Sequence, residues 1–292
     1  MKILHITPSY FPAHRYGGPI KSVHELNKGL VKAGVEVTVY TTNIDGEGVL
    51  RVPLDREVVL DGVKVFYFPI TFKAWSYSFN MHKALMRNVR HFDLIHITSV
   101  FLSASTLGAH YARQYKKPYI ISPRGSLMKE PLAHHGLKKS IYISLFEKRN
   151  MRDASMIHFT VEAEQKDYAA TGLPLANGII IPNSIEGEVG EEMFADPHKR
   201  KICVDGLRKK IGIIHKKIIL FMGRLHRIKG FDTLLPAFAE ILKKENDVGL
   251  VLSGGDEGGY KSHIDEYVRK YHVGNHVVYT GMIEGSDKIA AY

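Results

Sequence analysis

Two cations stand in the loop Gly223-Arg224-Leu225-His226-Arg227-Ile228-Lys229-Gly230, directly after the apolar run Ile218–Met222. The spacing puts Arg224 and Lys229 at the carboxyl end of a parallel strand, just ahead of a helix start, where open α/β sheets bind ligands. Two cations beside a helix N-terminus suit a diphosphate, whose negative charge grows as it departs. The plainer alternative is a solvated basic loop. Ser122-Pro123-Arg124-Gly125-Ser126-Leu127 places another cation at the end of a different strand. In Tyr16-Gly17-Gly18-Pro19 two glycines let the backbone approach a ligand closely, and Pro19 suits the first helical turn. That segment reads equally as an anion site or a tight turn. Ser253-Gly254-Gly255-Asp256-Glu257-Gly258-Gly259-Tyr260 follows a strand and either wraps a nucleotide or turns tightly.

The motifs that are absent narrow the chemistry. There is no G-x-G-x-x-G dinucleotide fingerprint and no G-x-x-x-x-G-K-[ST] phosphate loop. There is no H-E-x-x-H, no G-x-S-x-G elbow and no D-x-D metal clamp. Cys203 is the single cysteine, so it cannot build a zinc site or an internal disulfide.

The elements that position these loops alternate along the chain. Lys2–Thr7, Val35–Thr41, Val63–Phe68, Leu94–Thr98, Tyr119–Ser122, Met156–Thr160 and Gly178–Ile181 read as strands. They are too continuously apolar for a one-sided sheet and predict a parallel sheet with helices on both faces. Ile20, Val23, Leu26 and Leu30 share one helical face, and Gly34 marks its stop. A second series holds Ile218–Met222, Val248–Ser253 and Val277–Thr280, with a helical stripe through Phe231, Leu234, Leu235, Phe238, Ile241 and Leu242 and a last helix over Ser286–Tyr292. The charged stretch from Ile185 to Lys201, with Gly187 and Gly190, reads as the junction. The expected domains are 1–200 and 201–292. The second has too few strands for a complete doubly wound unit, so the chain is expected to be cut short.

A length of 292 residues suits about two domains at ~100–200 residues each. No apolar run nears the ~18 residues of a membrane span, and the first residues read as a strand, not a signal peptide. A cytoplasmic protein is expected, with peripheral attachment at the inner membrane face as the alternative placement. The net charge is +10, and Tyr111–Arg152 holds ten basic residues against Glu130 and Glu147. Such a segment is either a solvated face or a contact for anionic lipid. Ile141, Tyr142, Leu145 and Phe146 read as the core side of its helix, which leaves only the charged face free. Nucleic acid is set aside, because aromatic and basic residues do not interleave and no reader motif occurs.

Together these motifs resemble the retaining GT-B glycosyltransferases of family 4. The resemblance runs from the first strand to Tyr292. It is carried by Gly17-Gly18-Pro19, Ser122–Leu127, Ile181-Pro182-Asn183-Ser184, Gly223-Arg224-Leu225 with Lys229-Gly230, and Tyr279-Thr280-Gly281. Phe146-Glu147-Lys148-Arg149 and Phe159-Thr160-Val161-Glu162-Ala163-Glu164 are similar to the family's polysaccharide-assembly branch. The resemblance implies two Rossmann-like α/β domains, the second incomplete here. It implies a nucleotide-sugar donor and a glycan or lipid-linked glycan acceptor. It assigns Arg224, Lys229, Gly17 and Gly18 to the donor diphosphate. It puts His96 at a cleft-facing strand end as a catalytic candidate, with Arg124 where many relatives carry a histidine. Gly254, Gly255, Ile283 and Lys288 fall toward the nucleotide. No metal or other cofactor is implied. The family's paired glutamates fall beyond Tyr292, so this chain is expected to be weakly active or inactive and a longer form active. The rival readings are a non-catalytic nucleotide-sugar-binding remnant and another GT-B enzyme, such as a sugar-nucleotide epimerase.

Overall fold

The computed structural model describes residues 1–128, 141–175, 177–184, 196–256 and 258–292. Lys129, Glu130, Lys138 and Lys139 of the basic segment, Gly187 and Gly190 of the junction, and Glu257 lie outside them. The chain divides into two compact units, Met1–Ile185 and Glu186–Tyr292. The division falls before residue 200 because the helix Pro197–Ile211 packs within the second unit, where Lys210 Nζ lies 2.5 Å from Asp287 Oδ2.

In the first unit the chain runs β1 (Lys2–Ile6), α1 (Gly18–Lys32), β2 (Glu36–Thr42), the small ribbon β3 (Ile44–Asp45) and β4 (Gly48–Val49), β5 (Glu57–Leu60) and β6 (Val63–Phe68). It continues through α2 (Phe79–Asn88), β7 (Leu94–Thr98), α3 (Ser103–Gln114), β8 (Tyr119–Ser122), α4 (Lys148–Asp153), β9 (Met156–Phe159), α5 (Glu162–Ala170) and β10 (Gly178–Ile180). The main sheet has the order β10-β9-β8-β7-β1-β2-β6-β5, and only β5 pairs antiparallel, on β6.

Alternation along the strands explains the continuous apolar runs. Leu4, Ile6, Ile95 and Ile97 join Met81 and Leu85 of α2 in one core cluster. Val37, Val39, Val63 and Val65 join Val23 of α1 in another. Each such side chain contributes roughly 1.5–3 kcal/mol by leaving water. α1 starts at Gly17, whose φ of 72° and ψ of −141° suit only glycine, and Gly34 at φ 81° stops it as predicted.

The second unit holds α6 (Pro197–Ile211), β11 (Lys217–Met222), α7 (Phe231–Leu242), β12 (Val248–Ser253), α8 (Lys261–Lys270), β13 (Val277–Gly281) and α9 (Gly285–Ala291). Its three strands are parallel, ordered β11-β12-β13. Phe231, Leu235 and Phe238 of α7 pack on Leu250 and Leu252, with Leu234 and Leu242 partly buried beside them, whereas Ile241 of the expected stripe is exposed.

One expectation is corrected. Ile141, Leu145 and Phe146 are exposed, not a core side. The helix is wound as a π-helix over Ile143–Glu147, and the residue turned inward is Glu147. Its carboxylate accepts from Phe101 N at 3.0 Å, Ser105 Oγ at 3.3 Å and Asn150 Nδ2 at 3.2 Å, which satisfies it in the core. Burial pushes its pKa up. Tyr142 is half-buried, its hydroxyl 2.5 Å from Thr106 Oγ1.

Candidate functional site

The order of the first sheet reverses between β1 and β7: the chain leaves β1 for β2 on one side, then returns to place β7 on the other. Ligands bind at such switch points, beyond the carboxyl ends of the strands. A 220 Å³ cavity opens there, lined by Thr7, Ser9, Tyr16, Thr98, Ser99 and Arg124, among others. A second, of 410 Å³, lies between the start of α1 and the ends of β8 and β9, with Gly18, Lys21, Arg124, Thr160, Glu164 and Asn183 in its wall. Arg124 lines both cavities, and so joins the Gly17-Gly18 turn to the strand ends.

Arg124 is held in an unusual conformation. Its φ of 52° is left-handed, a region a non-glycine residue keeps only when its surroundings impose it. The imposing group is Glu164, buried in the first turn of α5. Its Oε1 accepts from Gly125 N at 2.6 Å, and its Oε2 from Thr160 N at 2.8 Å and Thr160 Oγ1 at 3.0 Å. One carboxylate thus clamps the loops after β8 and β9 together. Arg124 Nη1 donates to Asn183 Oδ1, while its Nε is buried without a partner among the described residues. Burial lowers the Arg124 pKa, and Glu164 opposes that. The N–H groups of Gly17 and Gly18 likewise meet no acceptor among the described residues. An orphaned guanidinium nitrogen and free helix N-terminal amides in adjoining walls suit an anionic or polyhydroxylated ligand.

His96 is the third of five residues in β7, buried inside the sheet and not at its end. Its Nε2 lies 2.7 Å from Ser122 Oγ, and Ser122 is two residues before Arg124. Burial holds the His96 pKa well below its ordinary value, with His5 adding to the effect, so the ring is neutral at pH 7.

In the second unit Arg224, Lys229, Gly254 and Gly255 converge at the ends of β11 and β12. Gly223 N donates to Ser253 O at 2.8 Å, Leu225 N to Gly255 O at 2.9 Å and Gly254 N to Gly281 O at 2.8 Å. Gly254, at φ 149°, approaches so closely that a Cβ there would lie 1.8 Å from Gly223 O. Lys229 Cε lies 4.0 Å from where a Cβ on Gly223 would be, so its exposed side chain reaches back over the turn that carries Arg224. His226 caps the turn Arg227–Lys229 through Nδ1, and Gly230 at φ 71° opens α7. Ile283 is not brought into this cluster. It lines a 650 Å³ cavity between α6, α9 and the sheet, with Leu207, Leu220 and Val251, while Lys288 lies on α9. Among the described residues no group of three or more His, Cys, Asp or Glu is placed to hold a metal ion.

Two family models match along the chain: "Glycosyl transferase 4-like domain" over residues 17–184 and "Glycosyl transferases group 1" over residues 205–292. The first covers more than half of the sequence and includes Gly17, Gly18, His96, Arg124 and Glu164. The chain belongs to the glycosyl transferase 4-like family. It is 25% identical over 313 residues to the alpha-monoglucosyldiacylglycerol synthase of Streptococcus pneumoniae, spanning 100% of this chain and 64% of the synthase. It is 25% identical over 310 residues to an uncharacterized glycosyltransferase of Methanocaldococcus jannaschii, covering 98% of this chain and 70% of that protein. Among solved structures, Anabaena HepE in complex with UDP and glucose superposes with a TM-score of 0.71 at 17% identity, over 99% of this chain and 71% of that one. The fold is that of the GT-B glycosyltransferases.

Within this family member, three buried site residues were not singled out from the sequence: His5, His158 and Glu164. His5 stacks on His96 at 4.2 Å between ring centroids, and its nitrogens lie 2.7 Å from Asn27 Oδ1 and 2.7 Å from Thr98 Oγ1. His158 Nδ1 lies 2.9 Å from Ser122 Oγ, and its Nε2 2.9 Å from the Ile181 carbonyl. A polar layer therefore runs beneath the strand ends. The signal was present: three strands end in His5-Ile6-Thr7, His96-Ile97-Thr98 and His158-Phe159-Thr160. A polar residue recurring at one register of buried parallel strands is costly unless its partners are built in.

Proposed function

We propose that the whole protein is a retaining glycosyltransferase that moves a sugar from a nucleoside-diphosphate donor to a glycan or lipid-linked glycan acceptor in cell-surface polysaccharide assembly. The observation that carries the reading is the Arg224–Lys229 loop, with two cations over a glycine turn at the carboxyl ends of β11 and β12. In this reading Arg224 and Lys229 stabilise the departing diphosphate, the role a metal ion plays elsewhere, and no cofactor is required. Gly254 and Gly255 leave backbone room for the nucleotide. The amides of Gly17 and Gly18 serve an anionic group, and Arg124 orients substrate hydroxyls or phosphate from the first unit. The bond from the anomeric carbon to the phosphate oxygen breaks, the acceptor oxygen bonds to that carbon on the same face, and its proton passes to the departing phosphate. His96 acts from behind through Ser122, keeping the Arg124 loop in register.

A uridine donor is the first to test, since HepE was solved with UDP. Incubation with UDP-glucose, GDP-mannose and ADP-glucose, with product analysis by NMR, should give a new glycosidic linkage with the donor's anomeric configuration. A free epimerised sugar nucleotide would favour the epimerase reading, and binding without turnover the remnant.

The same proposal places the protein at an anionic membrane face. Exposed Ile141, Leu145 and Phe146 precede Lys148, Arg149 and Arg152, an apolar and cationic combination suited to the lipid interface. Part of that charge is satisfied internally, since Arg149 and Arg152 approach Asp153 at 3.5 Å and 2.8 Å. Among the described residues no helix is long and apolar enough to cross a membrane.

A further inference from the structure

A hydrogen-bonded row of polar side chains crosses the first unit from the surface to the switch-point cavity. It begins at Asp61, exposed in the two-residue turn between β5 and β6, where φ is 49° at Asp61 and 80° at Gly62, as tight hairpins favour. His24 Nε2 lies 2.8 Å from Asp61 Oδ2, and the Tyr10 hydroxyl lies 2.8 Å from His24 Nδ1. Asn27 Nδ2 lies 3.2 Å from that hydroxyl, and its Oδ1 lies 2.7 Å from His5 Nδ1. His5 Nε2 lies 2.7 Å from Thr98 Oγ1. His24, Tyr10, Asn27, His5 and Thr98 are all buried. Thr98 lines the 220 Å³ cavity, and Asp61 is not part of its wall.

The carboxylate fixes the direction of every bond in this row. The hydrogen bond from His24 holds the Asp61 pKa below the ordinary carboxylate range, so Asp61 is ionised at neutral pH and only accepts. His24 Nε2 therefore carries a proton, and in the neutral ring Nδ1 accepts from Tyr10. With its proton engaged, the Tyr10 oxygen accepts from Asn27 Nδ2. Asn27 then turns Oδ1 to His5, whose Nδ1 donates and whose Nε2 accepts from Thr98. The reversed row would set an unprotonated His24 Nε2 against a carboxylate oxygen, two acceptors 2.8 Å apart. Thr98 Oγ1 thus meets the cavity with lone pairs only. In the same wall Thr7 donates to Ser9 O at 2.9 Å and Ser99 to Val100 O at 3.4 Å, so their hydroxyls also face a ligand as acceptors. We propose that Asp61 is a positioning residue that sets Thr98 as an acceptor, and that Thr98 accepts a hydrogen bond from a sugar hydroxyl of the substrate. The inference rests on the glycosyltransferase reading and deepens it by naming the group this cavity selects. A wall that joins these acceptors to the Arg124 cation calls for a ligand that both donates and accepts. A sugar hydroxyl does both, whereas a phosphate dianion only accepts.

Histidine-ring ¹⁵N NMR of the 292-residue chain at pH 8 reads the direction, with the rings assigned through His5→Gln and His24→Gln. The expected pattern is a proton on Nε2 of His24 and on Nδ1 of His5. In Asp61→Lys, where an ammonium only donates, both rings are expected to reverse. Asp61 is exposed, and an unchanged circular dichroism spectrum verifies that the variant folds; the wild-type pattern decides on its own if it does not. A wild-type His5 protonated on Nε2, or a His5 that keeps its tautomer while His24 reverses, overturns the row. The same samples are titrated with glucose, galactose and N-acetylglucosamine, and separately with inorganic phosphate, following the backbone amide at position 98. At least one sugar is expected to shift it saturably, with a midpoint raised roughly fivefold in both Thr98→Val and Asp61→Lys. Silence toward all three sugars, an equal midpoint in Thr98→Val, or a response to phosphate alone overturns the sugar assignment. A calorimetric UDP titration separates the two readings: nucleotide binding without a sugar response removes this assignment alone, whereas a sugar response without nucleotide binding removes the transferase reading.

Discussion

The polar layer beneath the strand ends makes a quantitative prediction about acid. His5 is fully buried, and desolvation holds its pKa at about 4 against the ordinary 6.5. The folded chain therefore keeps the ring neutral where the unfolded chain takes up a proton. Its contribution to stability is fully present above pH 6.5 and is lost as the pH falls toward 4. One proton per pH unit corresponds to about 1.4 kcal/mol, so lowering the pH from 7 to 5 removes about 2 kcal/mol through His5 alone. His96, stacked on His5 and shifted the same way, adds to the loss. Urea unfolding followed by circular dichroism at pH 7 and pH 5, on wild type and His5→Gln, measures the effect. The variant is expected to be less stable at pH 7, because Asn27 and Thr98 lose their partner, yet to lose about 2 kcal/mol less on acidification. Equal acid losses in the two proteins would refute the reasoning.

Three further outcomes are expected. Gly254→Ala forces a Cβ against the Gly223 carbonyl, at 1.8 Å and in a glycine-only conformation, and should destabilise the second unit by about 3 kcal/mol or more, read by thermal unfolding. Glu164→Gln keeps the shape but removes the charge that Gly125 N, Thr160 N and Thr160 Oγ1 share, so it should cost about 1.5–3 kcal/mol and speed hydrogen exchange at the Gly125 amide; unchanged exchange there would remove its clamping role. Phe146→Asp should reduce sedimentation with phosphatidylglycerol vesicles at least fivefold, and undiminished sedimentation counts against the proposed lipid face.

Strands buried on both faces were easy to read, because they are continuous apolar runs such as Val248–Ser253, and Ile218–Met222 was legible by the same apolar run although it is only half-buried. The edge strand Glu57–Leu60 was missed since it pairs on one side only and begins with a charged residue. The first turns of helix Pro197–Ile211 were merged into the junction because the helix buries little beyond Leu207 and opens on the charged run Lys199-Arg200-Lys201. The segment Ile141–Glu147 misled because apolar residues are exposed there and a carboxylate is buried, an inversion visible only once Phe101, Ser105 and Asn150 are known to satisfy Glu147. Arg224, Lys229 and Arg124 were legible, as cations at strand ends are positioned by chain order alone. The clamp of Glu164 on Gly125 was not, since it joins residues 39 apart through tertiary contact.

The central claim is that the Arg224–Lys229 loop holds a nucleoside diphosphate. Calorimetric titration of the chain with UDP, GDP and ADP, beside Arg224→Ala, tests it most directly. Saturable binding of one nucleotide, weakened about tenfold or more in the variant, is the predicted result. Binding equally tight in wild type and Arg224→Ala would contradict it, as would no binding by a longer chain that includes the rest of the second unit.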